Sequence, residues 1–462
     1  MIKSLWGAAF DLPDIKKTDK ALLQKVETKK EVSVEKKLKK TSKLSLAERL
    51  ALIEKEVNRI LGVYKENTVC IRDRESLHEY INHAIENGII AIDTETNNSL
   101  DPTTCKLMGG CIYTPGQKNA YIPINHVDEA GNKLSRQLTE KDIQEEFSRL
   151  SNTFTIWHNA KFDFSVIRCT CGIDMPIGWD TLICAKILDE NEEASLKQQY
   201  ISKIDPSIEK YDITHLFDIE YAYVPPELFA LYAATDAYMT YKLYLWQVEQ
   251  LNKPENKELY TILREVEFPV ISALADMELN GMKVDLQYAQ RLSNKYHKKL
   301  DDLENKINAE LIHIKPIIDQ WRLTPDANYH PLTTKGDKDG KSKSEQLTDP
   351  INLGSPTQMA ILFYDVFKCP VVNKKKPRST GEEDLNLIAE KLKLPICDLV
   401  LERRELIKLL TTYIDAIPTL AQKWPDGRIR SHFNQYGAKT GRLSSGGTIS
   451  FGWGSKESGI NF

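Results

Sequence analysis

The sequence predicts an α/β domain on a mixed sheet followed by a mainly helical region, and three observations carry that reading. From about residue 68 to residue 160, short β-branched runs alternate with amphipathic helical spacing. Two of the runs, "LMGGCIYT" and "KNAYIPI", are separated by "PGQ" as hairpin arms are, so the sheet is mixed rather than all parallel. Beyond "LNKPENKE" the apolar residues recur at i, i+3 and i+4.

At 462 residues and 41% hydrophobic content, the chain has room for two or three domains. No run approaches the roughly 20 apolar residues of a membrane span, and "MIKSLWGAAFDLPDIKK" lacks a sustained apolar stretch. The expectation is a cytoplasmic protein with no membrane partner. The eight cysteines are scattered, and Cys169 with Cys171 lacks zinc-finger spacing, so free thiols are expected. A net charge of −4 gives no overall basic field, although local patches can still hold phosphate.

Residues 1–45 read as a Lys/Glu-rich tether around "KKEVSVEKKLKKTSK", with a solvated charged helix or a DNA-contacting arm as alternatives. Order is expected from Leu46, where "LAERLALIEKEVNRIL" has helical spacing. The strands "NTVCIRD" and "GIIAIDTET" flank a helix at "RESLHEYINHAIEN". The hairpin, a helix from Glu140 to Leu150, the strand "TFTIWH" and mostly helical sequence complete a domain over residues 46–250. Residues 251–436 form the helical region, with a loop insertion near residues 315–350, which are rich in Gly, Pro and Lys.

Asp93 and Glu95, in "AIDTET", sit two apart at a strand end, so both side chains share one face. Carboxylates that close repel unless a cation lies between them, and hard divalent ions take such oxygen ligands. In "WHNAKFDF", Asn159 and Asp163 are four apart where a strand gives way to a helix; in "LYAATDAY", Tyr232 and Asp236 are four apart on a helix. Asn159 as a helix cap, Asp163 as a surface charge and Tyr232 as core are the plain alternatives. The ordered set within one α/β block weighs against them.

The blocks "DTET", "HNAKFDF" and "YAATD" resemble the three motifs of proofreading-type 3′–5′ exonucleases with a ribonuclease-H-like fold, in the subclass with a tyrosine in the third motif. The resemblance implies two divalent metal ions, Mg²⁺ or Mn²⁺. Asp93, Glu95 and Asp236 would ligate one, Asp93 and a water-mediated Asp163 the second, with Tyr232 orienting the attacking water and Asn159 holding the DNA strand end. Asp180, in "GWDTLICAKIL", matches an acidic position between the last two motifs and takes a supporting role.

Farther on, "EFPVISALADMELNGMKVD", "NLGSPTQMAILFYDVF", "KKPRSTGEEDLNLIA", "LERRELIKLLTTYIDAIP" and "DGRIRSHFNQYGAKTGRLSS" resemble successive blocks of the thumb and early palm of family A DNA polymerases, in family order. The implied fold is a ribonuclease-H-like exonuclease domain followed by a mainly helical thumb and partial palm, the palm start lying at residues 437–462. By the same resemblance Thr440, Arg442, Ser444 and Ser445 contact the primer–template backbone, with Asn434 and Gln435 nearby; Arg and small hydroxyls suit phosphate. The cluster from Lys374 to Thr380 suits phosphate too, or is an ordinary solvated loop, and Ser379 or Thr380 with a Glu three residues on fits a capping box.

The family's palm aspartates and fingers helix are not found in "GGTISFGWGSKESGINF". The expectation is therefore an N-terminal portion of a compact, phage-like polymerase that acts in DNA replication on primer–template and single-stranded DNA. Its polymerising remainder is expected to be separately encoded or missing from the record. A stand-alone exonuclease resembling ribonuclease D, and a non-catalytic DNA-binding subunit, are the competing readings.

Overall fold

Ser45 opens the first helix by a reciprocal cap: its hydroxyl accepts the Glu48 N–H at 3.3 Å while the Glu48 carboxylate accepts the Ser45 N–H at 2.8 Å. The computed structural model describes residues 45–446 except 98, 100, 209–219, 331–339 and 439. The tether expected over residues 1–45 lies outside the described residues but for Ser45, as do residues 447–462 of the expected palm start. The chain divides into two compact units, one holding the residues up to Gly281 and those from Arg430 on, the other Met282–Ile429. Residues 251–281, read from the sequence as the beginning of the helical region, thus fall in the first unit.

In the first unit α1 (Leu46–Leu61), β1 (Thr68–Cys70), α2 (Arg74–Asn87), β2 (Ile89–Thr96), β3 (Leu107–Tyr113) and β4 (Asn119–Pro123) lead into α3 (Glu140–Phe147), β5 (Phe154–Trp157), α4 (Ala160–Cys171) and β6 (Trp179–Asp180). Then come α5 (Thr181–Leu188), α6 (Leu196–Lys203), α7 (Pro226–Leu251), α8 (Lys257–Ile262) and α9 (Phe268–Asn280). The six strands form one sheet in the order β1-β4-β3-β2-β5-β6. β3 runs antiparallel to both β2 and β4, while β2 with β5, β5 with β6 and β1 with β4 are parallel, so the sheet is mixed as expected.

β3 and β4 are buried throughout, which fits their position inside the sheet. Gly109 is required there: a Cβ would meet the Tyr121 ring at 2.4 Å. α7 packs across β1 to β4 with sixteen buried residues, and Trp157, Trp179, Tyr121 and Tyr244 fill the core between layers. This burial fixes the end of β2 against α7, the two elements that carry the carboxylate motifs.

The second unit runs through β7 (Met282–Lys283), α10 (Leu286–Arg322), α11 (Lys343–Gln346), α12 (Pro356–Ala360), α13 (Glu382–Leu392), α14 (Pro395–Leu409), α15 (Ala416–Ala421) and β8 (Arg428–Ile429), which pairs antiparallel with β7. The expected loop insertion near 315–350 begins later than the composition suggests. α10 continues through Pro316 to Arg322 because Ile314, Ile318 and Trp321 recur at helical spacing and enter the unit's core, outweighing the hydrogen bond a proline forfeits. The capping box expected at Ser379 or Thr380 does not form: α13 starts at Glu382 behind Gly381, and the Ser379 hydroxyl accepts the Gly381 N–H at 3.3 Å.

After β8 the chain returns to the first unit as the hairpin β9 (His432–Asn434) and β10 (Ser444–Gly446), with Ser444 opposite Asn434 and Ser445 opposite Phe433.

Candidate active site

Strand alternation puts Asp93 and Glu95 on one face of β2, half-buried, with Thr94 turned to the other side and buried. Thr94 nonetheless serves the site: its N–H and hydroxyl both donate to Asp163 Oδ1, at 2.9 and 2.6 Å, which pins the first turn of α4 to β2. Asp163 is 2% exposed, so the surface-charge alternative does not hold.

Asn159 occupies the N-cap position of α4 in a left-handed conformation, φ 67°, without a side-chain cap bond. The capping is done by Asp180 instead. Its carboxylate accepts the N–H groups of Asn159 and Ala160 at 3.2 and 2.8 Å and those of Leu182 and Ile183 at 2.8 and 3.2 Å, joining the starts of α4 and α5.

On α7, Tyr232 and Asp236 lie one turn apart, Tyr232 buried and Asp236 partly so. Asp236 Oδ2 accepts from Lys197 on α6 at 3.0 Å, and the Lys197 ammonium stands 4.7 Å from the Tyr232 ring centroid. Asp236 Oδ1 is buried with no hydrogen-bond partner.

The electrostatics record the crowding. Asp93 is held well above the carboxylate range, by burial first and then by Asp163, Glu95 and Asp236, with Lys197 opposing. Glu95 is pushed up to about 8 by burial and then by Asp236. Burial pushes Asp163 up to about 7 against the Thr94 hydrogen bonds. Burial likewise keeps the Tyr232 hydroxyl protonated far above its ordinary value, and brings His158, whose Nδ1 lies 2.8 Å from the Thr181 hydroxyl, down to about 3.

Four mutually repelling carboxylates and one buried orphan oxygen form a donor set that fits hard divalent cations. Ligand atoms of Asp93, Glu95 and Cys111 lie within 4.8 Å of one another. Cys111 arrives by register, opposite Asp93. Burial, and then the carboxylates, push its thiol far up, and a hard divalent cation prefers the carboxylate oxygens to sulfur.

Sequence reasoning passed over Cys111, Thr94 and Lys197. The strand pairing is the only signal for Cys111, and Lys197 in "ASLKQQY" carries no pattern beyond the amphipathic spacing of its helix.

In the β9–β10 hairpin Thr440, Arg442 and Ser444 are exposed, while Asn434 and Ser445 are half-buried. Gln435, expected beside DNA, is committed inside the unit: its amide donates to the Glu267 carbonyl at 2.8 Å and to the Glu267 carboxylate at 2.5 Å. All eight cysteines are free, and among the described residues no helix is long and apolar enough to cross a membrane.

The architecture and site define an exonuclease-type α/β unit joined to a helical unit. Residues 68–250 match the family model described as 3'-5' exonuclease, and residues 332–447 match DNA polymerase family A. Residues 68–250 thus form a 3′–5′ exonuclease domain, and residues 332–447 belong to DNA polymerase family A.

It is 29% identical over 391 residues to the DNA polymerase I of Chloroflexus aurantiacus, covering 81% of this chain and 36% of that protein. It is 31% identical over 369 residues to the DNA polymerase I of a Synechocystis species, covering 77% of this chain and 32% of that one. The chain thus spans about a third of the length of these relatives. Among solved structures it resembles the POL domain of Pol1 from M. smegmatis in complex with DNA primer-template and dNTP, with a TM-score of 0.58 and 19% identity over 82% of this chain and 54% of that one, a likeness of fold. These matches favour neither the ribonuclease D reading nor the binding-subunit reading, and they give no support to a separately encoded C-terminal partner.

Proposed function

We propose that this chain removes nucleotides from the 3′ end of DNA, as the proofreading exonuclease of a family A DNA polymerase acting in replication in the cytoplasm. The observation that carries the reading is the meeting of four carboxylates from β2, α4 and α7, with Asp236 Oδ1 buried and unpartnered. Two divalent ions, Mg²⁺ or Mn²⁺, held by Asp93, Glu95, Asp163 and Asp236, would supply the activated water and the positive charge that in-line phosphodiester hydrolysis needs.

The chain's own residues do the rest. Thr94 holds Asp163 Oδ1 and leaves its second oxygen for ligation. The Tyr232 hydroxyl, kept protonated, orients the attacking water rather than taking its proton. Asp180 fixes the α4 start, so that Asn159 presents its amide to the strand end. Thr440, Arg442 and Ser444, exposed on the hairpin, hold the DNA backbone with Asn434 and Ser445 beside them, and Gln435 acts indirectly by tying the hairpin to Glu267. The helical unit takes the thumb's role of gripping duplex phosphates.

The test is a 5′-labelled mismatched primer on a template with Mg²⁺. The parent chain is expected to shorten it, and Asp93→Ala to slow that by about a thousandfold or more. A parent that leaves the primer intact, or an unimpaired Asp93→Ala variant, overturns the reading.

A further inference from the structure

Lys161 lies in the first turn of α4, between Asn159 and Asp163, yet its ammonium joins a different set of groups. It donates to Glu278 Oε1 on α9 at 2.5 Å and to the Phe433 carbonyl on β9. The two side chains are 9% and 1% exposed, so this is a buried ion pair. The same Glu278 oxygen accepts the Phe433 N–H at 2.7 Å and lies 3.2 Å from His432 Nδ1. Both backbone polar groups of Phe433 are therefore held by one Lys–Glu pair.

A buried ion pair costs much dehydration and is often no more stabilising than an apolar pair of the same shape, so stability alone does not account for it. What it does provide is a fixed geometry. Phe433 stands opposite Ser445 and its neighbour Asn434 opposite Ser444, so the pair grips the hairpin at its paired strands. Two further ties seat the same segment, from Arg430 Nε to the Leu279 carbonyl at 3.0 Å and from Gln435 to Glu267. Lys161 connects this seating to the helix that carries Asn159 and Asp163.

We propose that Lys161 is a positioning residue: through Glu278 and Phe433 it fixes the first turn of α4 to the β9–β10 hairpin, and so sets the register in which a DNA strand held by the hairpin reaches the carboxylates. The proposal rests on the exonuclease reading above. It separates two properties that a local defect in the site would not separate. Chemistry on a substrate too short to touch the hairpin is independent of Lys161, while hydrolysis of a long strand depends on it.

The experiment uses the full chain with Mg²⁺ and two substrates, the p-nitrophenyl ester of a nucleoside 5′-phosphate and a long single-stranded oligonucleotide. The variant Lys161→Met with Glu278→Gln removes both charges and keeps an acceptor for the Phe433 N–H. Its kcat/KM on the oligonucleotide is expected to fall about tenfold while the ester stays within about twofold of the parent. Glu278→Gln alone preserves shape and is expected to show the same split at about threefold. Equal losses on both substrates, or no loss on either, overturn the proposal, and the single variant decides it should the double variant fail to fold. A parent inactive on both substrates overturns the exonuclease reading itself, which is a different result from an active parent whose variants show no split.

Discussion

Two acidic sites, one in each unit, behave in opposite ways. Asp365 in the helical unit is 5% exposed and bracketed by Lys343 at 2.9 Å and by the Arg378 guanidinium, whose Nη1 lies at 3.1 Å. Those partners hold its carboxyl below the usual carboxylate range despite its burial. Lys197 opposes the rise of Asp93 and Glu95, and the Thr94 hydrogen bonds oppose that of Asp163, yet all three are pushed up. Asp365 is a charge whose compensation is built in, whereas under the proposed function the β2 cluster would take most of its compensation from bound cations. The contrast separates a structural ion pair from the cluster proposed to bind metal, without reference to any motif.

The largest expected effect comes from removing one acid from each site. Asp163→Asn is expected to lower exonuclease activity by about a thousandfold or more. It also relieves repulsion, and should raise the melting temperature of the metal-free chain by about 2–4 °C. Asp365→Asn should leave the exonuclease rate unchanged and cost about 1–2 kcal/mol in a denaturant titration, a discounted figure because Lys343 and Arg378 are partly solvated. Loss of stability in the first variant, or of activity in the second, would erase the distinction.

The parts of this arrangement differ in how legible they were. The mixed sheet, the hairpin, and the placement of Asp93 with Glu95 and of Tyr232 with Asp236 follow from periods of two and of 3.6, which local sequence records directly. The end of α10 was misread because Gly, Lys and Pro dominate the composition after residue 315, while Ile314, Ile318 and Trp321 keep the helix going by packing. Cys111, Thr94 and Lys197 depend on strand register and on a helix arriving from elsewhere. Lys161 bonds Phe433 across 272 positions of sequence, which no local pattern encodes.

A smaller effect appears in the pH dependence of stability. In the metal-free chain Glu95 and Asp163 titrate near 8 and 7, above their ordinary values of 4.5 and 3.8, so the folded state binds more protons than the unfolded state in between. The stability they contribute is complete below about pH 4 and is lost as pH rises through 7 to 8. His158 and His126, brought down to about 3 and 4, act in the opposite sense below their ordinary 6.5, so the clean window lies above that value. With a chelator, the melting temperature is expected to fall between about pH 6.5 and 8.5, and saturating Mg²⁺ should remove most of the fall by charging the carboxylates and binding them. A slope unaltered by Mg²⁺ would mean that these groups are not where the ion binds.

Lys197→Met gives the smallest expected effect and the finest test of the contrast, since it removes the internal cation from the cluster that has so little of one. Asp236 Oδ2 loses its donor and the Tyr232 ring its nearby ammonium, contacts made by a side chain that is 25% exposed and therefore modest in strength. Exonuclease activity should fall about five- to tenfold. Because Lys197 opposes the rise of Asp93 and Glu95, its removal pushes both higher, so the alkaline loss of stability in the metal-free chain should move to higher pH. Lys197→Arg, which keeps the charge, should leave that window in place even if the rate drops. A midpoint that moves equally in both variants would assign the effect to packing around α6 rather than to the cation.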